Sequence, residues 1–236
     1  MAENQESRDC FQCLTRANTL FSSLNFEEVA LLKRERLCLD FKPGEDLYHE
    51  GAETTGIFII RNGNAKITKE SSDGREQILR FTNEGDVLGY RAILSGEKYT
   101  SSATAMNNVS ACLIPKEVLH SFIKKNQYIG MGFMRLLAEE VKNTNKQIIR
   151  ISQKPVRERL AEAILLLKET YGYENDFATI NVTLSREEIA CIAGTVRETA
   201  TRMLYEFKSM DIIQLSGKKI AIKDINKLII LANLIE

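Results

Sequence analysis

With 236 residues, 44% of them hydrophobic, the chain has room for two domains that each bury a core, and its composition excludes a disordered or fibrous protein. Lysine plus arginine equals aspartate plus glutamate at 32 each, and from residue 152 onward seven lysines and five arginines face three aspartates and nine glutamates, so any phosphate-facing surface must be local. No apolar run approaches the ~20 residues of a membrane span and the start, MAENQESRDCFQC, lacks the basic and apolar stretches of an export signal, so the chain is expected to be cytoplasmic.

Residues 1 to 35 read as helical after a polar start, with Leu20, Phe21, Leu24, Phe26, Val29, Leu31 and Leu32 as an apolar stripe. From Leu37 to Pro115 the texture changes to short β-type runs, IFIIRN, AKITKE, QILRFT and SACLIP, between turns such as Lys42-Pro43-Gly44, Asn62-Gly63-Asn64, Ser72-Asp73-Gly74 and Glu84-Gly85-Asp86. That spacing predicts an antiparallel barrel or roll with an interior able to hold a small ligand.

The segment from Lys124 to Ser152 carries a long helical pattern. Met134, Leu137, Val141, Thr144, Ile148 and Ile151 follow alternating spacings of three and four, a heptad seam that predicts a homodimer. Phe133, Leu136 and Ala138 occupy another face, suited to packing on the roll. Pro155 interrupts the pattern, so residues 152 to 156 read as a hinge, and Val156 to Tyr171 starts a new apolar helix.

Beyond it, residues 185 to 213 predict two short helices joined by a tight turn. Ser185 with Glu188, and Thr195 with Glu198, have the spacing of two capping boxes. Gly194 suits a chain that must leave the first helix with positive φ, and Ile189, Ala190, Ala193, Ala200 and Met203 supply apolar or small positions for a close crossing. This is a helix-turn-helix. Ala200, Met203, Leu204 and Phe207 give the second helix a core face, while Arg197, Glu198, Thr201 and Arg202 cluster toward base edges in double-stranded DNA. Arginine can place two donors on guanine and glutamate can accept from cytosine. Thr199 and Thr201 suit phosphate contacts or caps, and Ser185 stands at the start of the first helix. The run IIQLSGKKIAIKD, two β-type stretches around Ser216-Gly217-Lys218, predicts a wing with Lys218 and Lys219 at its tip, where a phosphate backbone would pass. Together with Arg197, Arg202 and Lys208 these lysines would form the local basic surface.

The order of parts resembles the bacterial Crp/Fnr regulators over nearly the whole chain. GDVLGYRAILSG is similar to the family's loop after the sixth strand of the roll, CLIPKEVL to its last strand, PVRERLAEAILLL to the helix after the hinge, and TVRETATRML to its recognition helix. The resemblance implies an α+β chain: a cupin-like β-roll sensor of the cyclic-nucleotide-binding-domain type (residues 1–123), a dimerisation helix (124–152) and a winged helix-turn-helix DNA-binding domain (153–236). It implies a transcription regulator that binds a palindromic site, with RNA polymerase as a partner. Arg197-Glu198 with Arg202 implies half-sites resembling TGTGA rather than TTGAT.

The family's nucleotide binders carry a glutamate directly after the loop glycine and an arginine followed by serine or threonine about ten residues on. Here Tyr90 follows Gly89 and the arginine position falls on Tyr99, with Thr100 and Ser101 after it. Arg91, adjacent in sequence, would point away in a strand or loop. Any pocket lined by Gly89, Tyr90, Arg91, Tyr99 and Thr100 is therefore not expected to take cyclic AMP. The family's oxygen sensors hold an iron–sulfur cluster on four cysteines. Cys10 and Cys13, a C-x-x-C pair, and Cys112 in the last strand match three of them, whereas the remaining position falls on Thr19 and leaves Asp9 or Cys38 to complete the set. Cys38 and Cys191 otherwise read as small buried residues. Only His49 and His120 are present, without a catalytic constellation or phosphate loop, so the chain is not expected to be an enzyme. A ligand-binding roll acting through protein partners is the competing reading.

Overall fold

The structure, a computed structural model, describes residues 20–21, 23–70 and 76–233. It divides into two compact units, 1–142 and 143–236.

In the first unit the first helix among the described residues is α1 (Phe26–Glu35), whose start is fixed by a reciprocal capping box between Asn25 and Glu28. Leu20, Phe21 and Leu24, expected on that helix, precede it. Two four-stranded antiparallel sheets follow. One runs in the order β1 (Leu37–Phe41), β8 (Val109–Pro115), β3 (Gly56–Asn62) and β6 (Val87–Leu88). The other runs β2 (Asp46–Tyr48), β7 (Ser102–Ala105), β4 (Ala65–Glu70) and β5 (Glu76–Phe81). Strand β3 explains the arrangement. Its alternate residues serve two cores: Phe58 and Ile60 lie between the sheets with Ile67, Ala103 and Ala111, while Ile57 and Ile59 face the helices. A strand buried on both faces reads as a continuous apolar run, which is why GIFII does not alternate.

A six-residue helix, α2 (Tyr90–Ser95), follows Gly89, and α3 (Lys116–Lys125) leads to α4 (Gln127–Gln153). The long helix begins at Gln127 rather than at Lys124. Asn126 is extended and its side-chain oxygen accepts from the Tyr128 N–H, while its amide donates to Ser23 O and Glu28 Oε2, so it ends one helix and starts the next. Ile129 and Phe133 are buried against α1, α3 and the first sheet, and Leu136 and Leu137 pack at that cluster's edge. No helix among the described residues is long and apolar enough to cross a membrane.

The second unit contains the end of α4, then α5 (Val156–Tyr171), α6 (Arg186–Ala193), α7 (Arg197–Ser209), the hairpin β9 (Ile213–Ser216) and β10 (Lys219–Ile222), and α8 (Ile225–Leu231). Leu160, Ile164, Leu167, Ile189, Leu204, Phe207 and Leu228 are fully or almost fully buried, each such side chain contributing about 1.5–3 kcal/mol of transfer free energy. Residues 152 to 156, read as a hinge, include the break between α4 and α5. Lys154 pairs with Glu162 and donates to Ala232 O at 3.1 Å, and its N–H bonds Arg150 O at 3.1 Å.

Candidate nucleic-acid interface and sensor interior

Three local features aim α7. Ser185 caps α6: its hydroxyl accepts from Glu188 N at 3.1 Å, and the Glu188 carboxylate accepts from Ser185 N at 2.8 Å. Gly194 ends that helix at φ 63, ψ 48, a left-handed turn that a side chain disfavours. Ala190, Ala193 and Ala200 are completely buried, so the two helix backbones approach closely.

The second capping box is not formed. The residue preceding α7 is Val196, extended and without a side-chain cap, and Thr195 lies in the turn with its N–H on Ala190 O at 3.0 Å. The helix still starts there because Gly194 reverses the chain, and Glu198 in its first turn favours the positive helix end. Ala200, Leu204 and Phe207 are buried, Met203 is half-buried, and Arg197, Glu198, Arg202, Tyr205 and Lys208 are exposed. Arg197, Glu198 and Arg202 make no hydrogen bond or ion pair among the described residues. Two guanidinium forks and a carboxylate on one exposed helical face, uncommitted to the protein, can be spent on another molecule.

The other predicted DNA contacts fare differently. Thr199 and Thr201 are half-buried. The Ser185 hydroxyl is engaged by Glu188 from both sides, which makes it a cap. Strands β9 and β10 pair Ser216 with Lys219 across a two-residue turn, and Gly217 supplies its positive φ of 58. Lys218 is exposed, whereas Lys219 Nζ is held by Glu174 at 2.7 Å. Segment 178–180 adds to the wing: Ile222 N donates to Ala178 O, and Ile180 N to Ile220 O, both at 2.9 Å. Sequence reasoning missed Arg186. Its Nη2 donates to Gly217 O at 2.9 Å, joining the first turn of α6 to the wing tip, and its Nη1 is buried without a partner among the described residues. The signal was its place directly after the capping serine.

The five residues predicted to line a pocket separate into two pairs, with Thr100 apart from both. Gly89 has φ 78, and a side chain there would meet the Tyr99 ring at 2.9 Å. Tyr99 is buried, stacks on Tyr48 with ring centroids 4.2 Å apart, and donates its hydroxyl to Gly56 O at 2.8 Å. Burial pushes the Tyr48 phenol up to about 12. Tyr90 instead belongs to the helical core, and its hydroxyl donates to Glu140 Oε2 at 2.7 Å. Burial first, and then that carboxylate, raise the Tyr90 pKa far above its ordinary value. Arg91 pairs with Glu140 at 3.4 Å. It was expected in a strand or loop but lies on α2. Thr100 is exposed, its carbonyl accepting from Lys69 Nζ at 2.9 Å. A cation missed from sequence, Arg80, pairs with Asp86 at 3.1 Å and acts electrostatically on the Tyr48 and Tyr90 phenols.

Cys10 and Cys13 lie outside the described residues. Cys112 is buried in strand β8 directly opposite Cys38 of β1. Cys38, expected to be buried, is exposed because β1 is the edge strand of its sheet. Cys191 is half-buried in α6. Among the described residues no three His, Cys, Asp or Glu side chains gather as a metal site.

Comparison with known proteins agrees with this architecture. Residues 38–126 match the cyclic nucleotide-binding domain model, and residues 158–230 the Crp-like helix-turn-helix domain model. The chain is 31% identical over 219 residues to the CRP-like cAMP-activated global transcriptional regulator of Mycobacterium tuberculosis, covering 92% of this chain and 97% of that protein. It is 31% identical over 181 residues to the fumarate and nitrate reduction regulatory protein of Vibrio cholerae, covering 76% of this chain and 72% of that one. A Crp/Fnr family regulator structure from Eubacterium rectale shares the fold, with TM-score 0.81 and 23% identity over 92% of this chain and 99% of that one. A sensor roll of the cyclic-nucleotide-binding type followed by a Crp-like helix-turn-helix defines a DNA-binding regulator. The chain belongs to the Crp/Fnr family of transcriptional regulators.

Proposed function

We propose that the protein acts as a homodimer on a palindromic promoter site, reading half-sites of the TGTGA type through Arg197, Glu198 and Arg202. The observation that carries this reading is the uncommitted, exposed state of those three side chains on α7. Thr199, Thr201, Lys218 and Lys219 serve the phosphate backbone, Lys219 once released by Glu174, and Arg186 and Ser185 hold the frame. Dimerisation uses the stripe Met134, Leu137, Val141, Thr144 and Ile148. Its members Met134, Val141 and Ile148 are exposed in the single chain at 62%, 59% and 59%, which is unusual for large apolar side chains at heptad spacing. Functionally, residues 1–123 sense, 124–152 dimerise and 153–236 bind DNA, with RNA polymerase as the partner of the bound dimer.

The sensor differs from a cyclic AMP site, although the M. tuberculosis relative is described as cAMP-activated. The positions following Gly89 and ten residues on are Tyr90 and Tyr99, which are engaged by Glu140 and by the Tyr48 stack, so these two positions supply neither a ribose carboxylate nor a phosphate cation. One observation favours a thiol-based sensor instead. Cys38 and Cys112 are direct cross-strand partners, so the two thiols carried by the roll sit on one face of one sheet. With Cys10 and Cys13 they would supply four thiolates for an iron–sulfur cluster, whose chemistry would be loss or change on oxidation. In vitro selection from a random duplex pool tests the DNA reading: it should enrich an inverted repeat containing guanine at the positions faced by the two arginines, and enrichment of no motif would overturn it.

A further inference from the structure

The proline that breaks the long helix leaves a specific debt. In a continuous helix the Ile151 carbonyl would accept from the N–H of residue 155, four positions on, but residue 155 is proline and has none. The vacancy is filled from the next helix: Arg159 Nη1 donates to Ile151 O at 2.7 Å. The same guanidinium donates through Nη2 to Gly194 O at 3.0 Å, the carbonyl of the residue that turns α6 into α7.

This is a costly way to satisfy one carbonyl. Arg159 is only 7% exposed and faces no carboxylate among the described residues, and burial, with Arg150 nearby, lowers its pKa. Among the described residues its charge is met by the negative ends of two helices, the C-terminus of α4 at Ile151 and that of α6 at Gly194. Neighbouring contacts run along the same line. Arg150 Nη2 donates to Ile192 O at 3.2 Å, and a side chain at Gly194 would meet Ile151 Cγ1 at 3.6 Å. The last turns of α4 and the helix-turn-helix turn are thereby clamped within one unit, three residues before Arg197.

We propose that Arg159 is a positioning residue for DNA recognition, clamping the end of the dimerisation helix to the Gly194 turn so that the recognition helix is held at a fixed offset from the dimer axis. It touches no base. This rests on the dimeric, DNA-binding reading above, and its specific consequence is that Arg159 governs tolerance to half-site spacing rather than contact with a half-site. Lysine has one compact ammonium and cannot span both carbonyls with a planar fork.

The test uses the full chain with Arg159→Lys and Arg159→Met. The probes are duplexes carrying one copy of the half-site enriched by the wild type, and duplexes carrying two copies at spacings stepped by one base pair. The expected wild-type result is a preference of about tenfold or more for one spacing over its neighbours, because the two halves of a dimer engage sites a fixed helical distance apart. The variants should hold single half-site affinity within about twofold while their spacing preference falls below about threefold. Arg159→Lys decides the matter if Arg159→Met does not fold, as judged by circular dichroism. An unchanged spacing profile would overturn the proposal, and so would a loss of equal proportion on single and spaced half-sites, which is what a purely structural arginine gives. A wild type with no preference for paired half-sites would fail differently, by removing the dimer reading itself.

Discussion

Tyr99 and Tyr48 stack inside the roll with their rings 4.2 Å apart and 21° from parallel. The pair is packed against Phe58, Leu88 and Ala103, and the Tyr99 hydroxyl is returned to the backbone at Gly56. Tyr99→Ala should therefore cost about 3–5 kcal/mol in urea unfolding of the roll, and Tyr99→Phe only about 1 kcal/mol, the worth of the hydroxyl bond. Cyclic AMP at millimolar concentration should change neither the melting temperature nor DNA affinity. A melting shift of several degrees with cyclic AMP would contradict this account of the interior.

The dimer seam can be tested without damaging the roll. Leu137 packs on the helical core of its own chain, so a charge there would disturb folding as well as association. Val141 and Ile148 are each 59% exposed and make the cleaner pair. Val141→Asp with Ile148→Asp should give folded monomers in sedimentation equilibrium, with unchanged circular dichroism, and should lose site-specific DNA binding at the same time.

Base readout and phosphate contact separate by their salt dependence. Arg197→Ala or Arg202→Ala should each cost about 1–3 kcal/mol at one base pair and relax preference there, whereas Lys218→Ala should weaken all sequences alike and reduce the salt slope by about one unit. Lys219→Ala should do less than Lys218→Ala, because Glu174 already neutralises Lys219. Equal losses on specific and random duplexes for Arg202→Ala would restrict that residue to phosphate.

The thiol reading predicts iron and acid-labile sulfide, with visible absorbance, in protein purified without oxygen. Both should fall sharply in Cys112→Ala and in Cys38→Ala. If only the Cys112 variant loses them, Cys38 is not a ligand. A colourless, iron-free wild type whose DNA affinity is unchanged by air leaves the cysteines without a sensory role.

Sequence revealed most of what depends on local periodicity. The β-runs, the Ser185–Glu188 box, Gly194 and the wing hairpin are all decided within a few residues, and the structure contains each, while the Ser72-Asp73-Gly74 turn lies outside the described residues. It concealed what depends on distant partners. Helix α2 has only six residues, too few for a helical period to show, so Arg91 was assigned to a strand or loop. Asn126 breaks the helix because Ser23 and Glu28, far back in the chain, bind its amide. Cys38 is exposed because its strand ends the sheet, a fact of topology. The roles of Arg159 and Arg186 rest on carbonyls 35 and 31 positions away, and no spacing rule reaches that far. Thr195 shows the opposite error: its spacing to Glu198 fits a capping box, but the sharp turn after Gly194 moves the helix start one residue on.

The central claim, sequence-specific reading by the Arg197–Arg202 face, is tested most directly by fluorescence-anisotropy titration of the wild type against its enriched palindrome and a scrambled duplex of equal length, repeated across a range of salt concentrations. The account predicts that the palindrome binds about 10³-fold or more tightly than the scrambled duplex at physiological salt, with log Kd rising steeply and linearly with log salt for both. Equal affinity for the two duplexes at every salt concentration, or no measurable binding to either, would contradict it.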